Sequence, residues 1–237
     1  MAVQFKPLGE CAVLVYFGSC ISEEVHLSIK KFLFILEKEW CDGLIEVVPS
    51  YTNVCIYYDV LKIHQWEQAG HTPYEKIVAF LQTLLQKEVV LPKEKERLIE
   101  IPVCYGGSYG PDLRELARFH HLTEQQVIEI HSGKEYLVYM LGFAPGFAYL
   151  EGLDERIATP RKETPRLKIP SRSVGIAGKQ TGIYPVETPG GWQIIGRTPL
   201  KLFLPEQHPP TLLQAGDRVR FVPITEEAFA EIEGERR

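Results

Sequence analysis

The chain has 237 residues, of which 45% are hydrophobic, 24% charged and 11% aromatic, with 19 Gly and 17 Pro. Collagen, coiled coil and low-complexity tail are excluded, and a chain of this size can bury a core without disulfide staples. The formal charge of −5 argues against a dedicated nucleic-acid binder. Five cysteines, at 11, 20, 41, 55 and 104, include no C-x-x-C pair, and no His stands at metal-ligand spacing, so neither a disulfide framework nor a zinc site is indicated. A reducing cytoplasm fits this usage. The apolar run Cys11 to Phe17 is too short to span a bilayer, and the chain is expected to be soluble and unprocessed, with no membrane partner.

Gln4 to Leu8 and Cys11 to Phe17 read as strands around a Gly9-Glu10 turn. Ser22 then caps a helix whose apolar residues Val25, Ile29, Phe32, Leu33, Leu36 and Trp40 fall on one face, ending before Gly43. Leu44 to Val48 and Asn53 to Tyr58 form a second strand pair, and Pro73 opens a second helix with Tyr74, Ile77, Val78, Leu81, Leu84 and Leu85 on its apolar side. Two strands and a helix, repeated, imply a small α+β sandwich with helices on one sheet face.

The charged, Pro-marked stretch Leu91 to Arg97 is the expected boundary, giving domains 1–92 and 98–237. Beyond it the texture changes. Thirteen of the 17 prolines lie from residue 101 onward, and short apolar runs punctuated by Gly and Pro favour an irregular β barrel or sandwich. Leu98 to Cys104 reads as a strand. Asp112 to Phe119 and Thr123 to His131 read as helices, the second with a capping box from Thr123 and Gln126. The pair has a helix-turn-helix pattern, but the would-be reading helix carries Glu124 and Glu129 and no Lys or Arg, so an αα-hairpin without DNA contact is expected.

Charge by segment is more informative than the total. Residues 1–100 hold 10 basic and 14 acidic side chains, whereas residues 156–201 hold nine basic side chains against only Glu163 and Glu187, a net +7 within 46 residues. So dense a group among Gly-rich turns points to an anion site. Gly175 to Gly182 invites comparison with a phosphate-binding P-loop. That motif needs Gly where Ser173 stands and Ser or Thr where Gln180 stands, and Pro185 follows too soon for its helix, so a turn between strands is expected. Tyr136 to Leu141 reads as a buried strand leading into Gly142-Phe143-Ala144-Pro145-Gly146-Phe147, either ordinary packing or a rigid apolar pocket rim. His131, at the end of the capped helix, is either structural or an acid–base residue.

Three runs carry a resemblance to a known family: Gly142 to Leu150, Gly175-Ile176-Ala177-Gly178-Lys179-Gln180-Thr181-Gly182-Ile183-Tyr184-Pro185, and Gly190-Gly191-Trp192-Gln193-Ile194-Ile195-Gly196-Arg197-Thr198-Pro199. With Ile101 to Gly107 and Gly110 to Leu113 upstream, the chain resembles the bacterial family variously called the 5-oxoprolinase B subunit, allophanate hydrolase subunit 1 and KipI, the sporulation-kinase inhibitor. The resemblance covers essentially the whole chain. It implies an α+β fold with a small N-terminal α/β sandwich followed by a cyclophilin-like β-barrel domain.

The resemblance further implies action with the C subunit and a separate A subunit of 5-oxoprolinase to hydrolyse 5-oxo-L-proline to L-glutamate at the expense of ATP, with magnesium bound to the nucleotide. The chain alone would be inactive. A lactam is a poor electrophile, and phosphorylating its amide oxygen would make that oxygen a leaving group whose charge needs Arg, Lys or backbone donors. The residues expected in catalysis are His131, Arg166 and Arg197. Arg161, Lys179, Gln180 and Tyr184 would contact substrate or ATP, with Phe143, Phe147 and Trp192 as apolar walls. Many relatives carry Ala-Gly at Ser171-Arg172, so Arg172 is expected to be peripheral. The alternative from the same resemblance is a protein inhibitor of a sporulation sensor histidine kinase, docking on its dimerisation and phosphotransfer helices.

Overall fold

A computed structural model describes residues 3–67, 69–91 and 97–235 and divides the chain into two compact units, Met1–Glu94 and Lys95–Arg237. Residues 92–96 of the expected boundary lie outside the described residues.

In the first unit, β1 (Gln4–Pro7), β2 (Ala12–Tyr16), α1 (Glu23–Lys38), β3 (Leu44–Pro49), β4 (Asn53–Tyr58), α2 (Val60–His64) and α3 (Pro73–Leu85) follow one another. The four strands form one antiparallel sheet in the order β1-β2-β4-β3. Alternation along the strands places Val13, Val15, Val54 and Ile56 in one core with Ile29, Phe32 and Leu36 of α1 and Ile77, Leu81 and Leu84 of α3. Ser22 caps α1 through the Val25 amide, and Thr72 with Glu75 forms a full capping box on α3. Two details differ from the sequence reading. Helix α1 ends at Lys38, so Trp40 leaves the helical register and is half exposed. The short α2 is an extra element, opened by Asp59, whose carboxylate accepts the Leu61 and Lys62 amides at 2.9 and 3.1 Å.

The second unit runs β5 (Leu98–Tyr105), α4 (Leu113–Phe119), α5 (Glu124–Ser132), β6 (Glu135–Leu141), β7 (Ala148–Glu151), β8 (Arg166–Ile169), β9 (Ser173–Ala177), β10 (Gln180–Ile183), β11 (Thr188–Gly190), β12 (Gln193–Arg197), β13 (Arg218–Pro223) and α6 (Glu226–Glu235). Seven strands close a barrel in the order β10-β7-β6-β13-β5-β12-β9, with β13 parallel to β5, while β8 and β11 form a separate two-stranded ribbon. The chain is thus an α+β protein with a β-barrel unit. Val103, Val138, Leu150, Ile176, Ile195 and Phe221 fill the barrel, and α5 adds Val127 to the same core. Gly110 is required where its turn presses on β12, because a Cβ there would collide with the Ile195 carbonyl. No described helix is long and apolar enough to cross a membrane.

Candidate functional site

The basic stretch 156–201 does not converge on one place. Its first part is organised by Asp112. Backbone bonds from Gly106 to the Ile195 carbonyl (3.0 Å) and from Asp112 to the Ile194 carbonyl (2.9 Å) bring the start of α4 against β12. Instead of capping α4, the buried Asp112 carboxylate accepts both Nη atoms of Arg166 (2.8 and 2.6 Å), the Ile194 amide (2.7 Å) and Lys162 Nζ (2.9 Å). Burial pushes the Asp112 pKa up, but the bonds from Arg166, Ile194 and Lys162 outweigh it and hold the group ionised below the usual carboxylate range. Arg166, expected as a catalytic group, therefore ties the β8–β11 ribbon to the barrel. Arg161 lines a neighbouring cleft of about 430 Å³ with Lys162, Glu115, Phe119 and Gln193.

Phe143, Phe147, Tyr184 and Trp192 do come together, on the outer side of the barrel. Phe147 packs edge-on to Phe143, Tyr149, Tyr184 and Trp192 at centroid distances of 5.4, 4.9, 5.7 and 5.7 Å. Ile169 of β8 and Ile194 of β12 complete this cluster. Three of the expected residues are buried within it, so they act as packing, and only Phe143, in a left-handed conformation at φ 67°, presents its ring to solvent. Burial pushes the Tyr184 phenol up to about 12, partly offset by the Arg161 charge and the Trp192 amide.

Lys179 and Gln180 sit where Gly178, at φ 59°, turns the chain from β9 into β10. Lys179 pairs with Glu155 at 2.5 Å, and Gln180 donates to Glu151 at 3.0 Å. Both side chains are engaged by carboxylates, and a strand rather than a helix follows the turn, so it lacks the geometry of a P-loop.

His131 is a correction to the sequence reading. It is 0% exposed inside the barrel, stacked on Phe221 at 4.4 Å. Thr181 donates to the Gly175 carbonyl, so it accepts the His131 Nε2–H at 2.8 Å, and Nδ1 accepts from the Tyr105 hydroxyl at 2.7 Å. Burial lowers its pKa to about 3, which fixes a neutral ring with both nitrogens bonded and no opening to a substrate.

At the other end of the basic stretch lies a cleft of about 830 Å³ lined by Ser171, Arg172, Lys201, Glu233 and the apolar Pro199 and Phe203. Arg172, expected to be peripheral, is one of the residues that line it. Its backbone is held at φ 71° by bonds from its amide to Tyr184 O (2.5 Å) and from the Thr198 amide to its carbonyl (3.0 Å). Its guanidinium donates to Pro199 O (3.1 Å) and Glu233 (2.6 Å) and lies over the Phe229 ring. Arg197 donates Nε to Ser171 O at 3.0 Å; burial and the charge of Arg172 lower its pKa, while Glu233 raises it. Of the expected catalytic residues, Arg197 is the one beside this cleft's cations. Arg172, set aside in the sequence because of the residues relatives carry there, has its counterion 61 residues away, on α6.

The family model for the carboxyltransferase domain, subdomain C and D, matches residues 3–213. The B subunit of 5-oxoprolinase from Bacillus subtilis (strain 168) is 45% identical over 227 residues, covering 95% of each chain. The crystal structure of a conserved uncharacterised protein from Pyrococcus horikoshii is 49% identical, with a TM-score of 0.56, over 95% of this chain and 100% of the other. The urea amidolyase of K. lactis shares the fold, with a TM-score of 0.78 at 22% identity over 98% of this chain and 15% of that one.

Proposed function

Because the chain belongs to the carboxyltransferase-domain family of subdomains C and D, and within it to the group of 5-oxoprolinase B subunits, we propose that it serves as the B subunit of an ATP-dependent 5-oxoprolinase. With separate A and C subunits it would convert 5-oxo-L-proline to L-glutamate, with release of ADP and phosphate. The observation that carries this reading is the 45% identity to such a B subunit, reaching over 95% of both chains. The geometry agrees with a shared reaction. Arg166 and Lys162 are engaged by Asp112, and Lys179 by Glu155, so these cations arrive already neutralised. What this chain contributes is positioning of the anionic substrate by Arg172, Arg197 and Lys201.

The test is glutamate release from 5-oxo-L-proline and ATP by this chain alone and mixed with the A and C subunits. The expected result is turnover only in the mixture. Rapid turnover by the lone chain, or an inactive mixture from which the chain can be left out without effect on the partners, would sink the proposal. The kinase-inhibitor alternative is separated in a second tube: inhibition of sensor-kinase autophosphorylation at stoichiometric chain would favour it.

A further inference from the structure

The cleft around Arg172 carries an inference that deepens this reading and rests on it only for the choice of first probe. Its lining carries two cations, Arg172 and Lys201, and two carboxylates, Glu187 and Glu233. Lys201 has no ion pair among the described residues, Glu187 is engaged by Lys168 at 3.1 Å, and Arg197, outside the lining, is near enough to Arg172 for that charge to lower its pKa. Glu233 is the carboxylate that pairs with Arg172, at 2.6 Å. It comes from the last turn of α6, a helix opened by Thr225, whose hydroxyl accepts the Ala228 amide at 3.2 Å, and anchored by Phe229 against the Tyr109 ring at 4.6 Å. A two-sided backbone clamp keeps Arg172 in a left-handed conformation that a side chain rarely adopts, and such conformations persist where the surroundings over-determine them. The guanidinium is therefore aimed before any ligand arrives, in a cleft whose size suits a small molecule.

We propose that this cleft is a binding site for a small molecule bearing a carboxylate, and that the Glu233 carboxylate occupies the ligand's place on Arg172. A resident carboxylate on one guanidinium, with a second guanidinium and an ammonium alongside, describes the chemistry that the incoming group must match. The apolar walls from Pro199 and Phe203 suit the ring or chain that carries it. Ligand binding would displace Glu233 from Arg172, so the C-terminal helix competes with substrate.

Binding of 5-oxo-L-proline, acetate and inorganic phosphate to the full chain, followed by calorimetry and by NMR shifts of the Arg172 side chain, tests this. The expected result is that both carboxylates bind, that Glu233→Gln tightens them about tenfold by removing the competitor, and that Lys201→Ala weakens them about threefold. Arg172→Gly, which suits the left-handed backbone, should abolish binding while the chain stays folded by circular dichroism. Unchanged affinity in Glu233→Gln, full binding in Arg172→Gly, or phosphate binding that exceeds carboxylate binding would each overturn the proposal. Glutamate release by the three-subunit mixture is read in parallel. Carboxylate binding that depends on Arg172 in a chain whose mixture is inactive would keep this site and remove the enzymatic role; an active mixture without such binding would do the reverse.

Discussion

Asp112 and Arg166, 54 residues apart, meet in a two-pronged pair with both guanidinium Nη atoms within 2.8 Å of the two carboxylate oxygens. The carboxylate is buried and also holds Lys162 and the Ile194 amide. This one group joins α4, the β8–β11 ribbon and β12, so it pins the ribbon to the barrel beside the packing of Ile169 in the aromatic cluster.

Replacing Asp112 with Ala leaves two half-buried cations facing each other without a counterion. A loss of about 3 kcal/mol in unfolding free energy is expected, since removing one partner of a buried pair costs on the order of 3–5 kcal/mol. Urea denaturation of Asp112→Ala and of Arg166→Ala measures it. A change within about 0.5 kcal/mol in both would show that the pair does not hold the ribbon.

The buried His131 makes stability depend on pH. Its folded pKa of about 3 lies below the ordinary 6.5, so the unfolded chain binds one more proton throughout that interval. Stability is then full above pH 6.5 and falls as the pH drops toward 3, by up to about 1.4 kcal/mol per unit. Unfolding midpoints at pH 7.5 and 5.5 should fall further apart in the native chain than in His131→Gln. Equal pH dependence in the two would mean that the ring is not held neutral.

Two phenylalanines in contact should respond in opposite ways. Phe147 is 2% exposed at the centre of the outer aromatic cluster, whereas Phe143 is 65% exposed. Phe147→Ala is expected to cost about 3–5 kcal/mol through cavity formation, and Phe143→Ala under about 0.5 kcal/mol. Thermal or urea unfolding of the two variants checks this. Equal losses would contradict the placement of Phe143 at the rim.

Arg166 and Arg197 should separate in the reconstituted enzyme. Arg197→Ala is expected to lower glutamate release by about one to three orders of magnitude at unchanged stability of the complex, on the order of 1.4–4 kcal/mol of lost stabilisation. Arg166→Ala is expected to act first on folding of the ribbon, and its loss of rate should track the loss of folded chain. Steady-state kinetics beside gel filtration of the mixture distinguishes them; full activity in Arg197→Ala would remove it from the site.

What could be read from the sequence was mostly local. The caps at Ser22 and Thr123, the helical spacing of Ile77, Leu81 and Leu84, and the strand alternation around Val13 and Val15 depend on neighbours a few residues away. Helix α2 escaped because five residues are too few to show a period, and its signal is one capping residue, Asp59. The basic stretch was visible as composition, and so was the need to place its charge against anions.

Which cation meets which anion was decided only by the tertiary structure. Asp112, Glu155 and Glu233 reach Arg166, Lys179 and Arg172 from elsewhere in the chain, the last across 61 residues, and no local pattern encodes those distances. Burial works in the same way: His131 has the sequence context of an exposed helix end, yet closure of the barrel removes it from water and takes its proton. Charge pairing and desolvation depend on distances through space rather than along the chain, so the sequence by itself determined the elements and their class, and folding determined which of its charges remain available to a ligand.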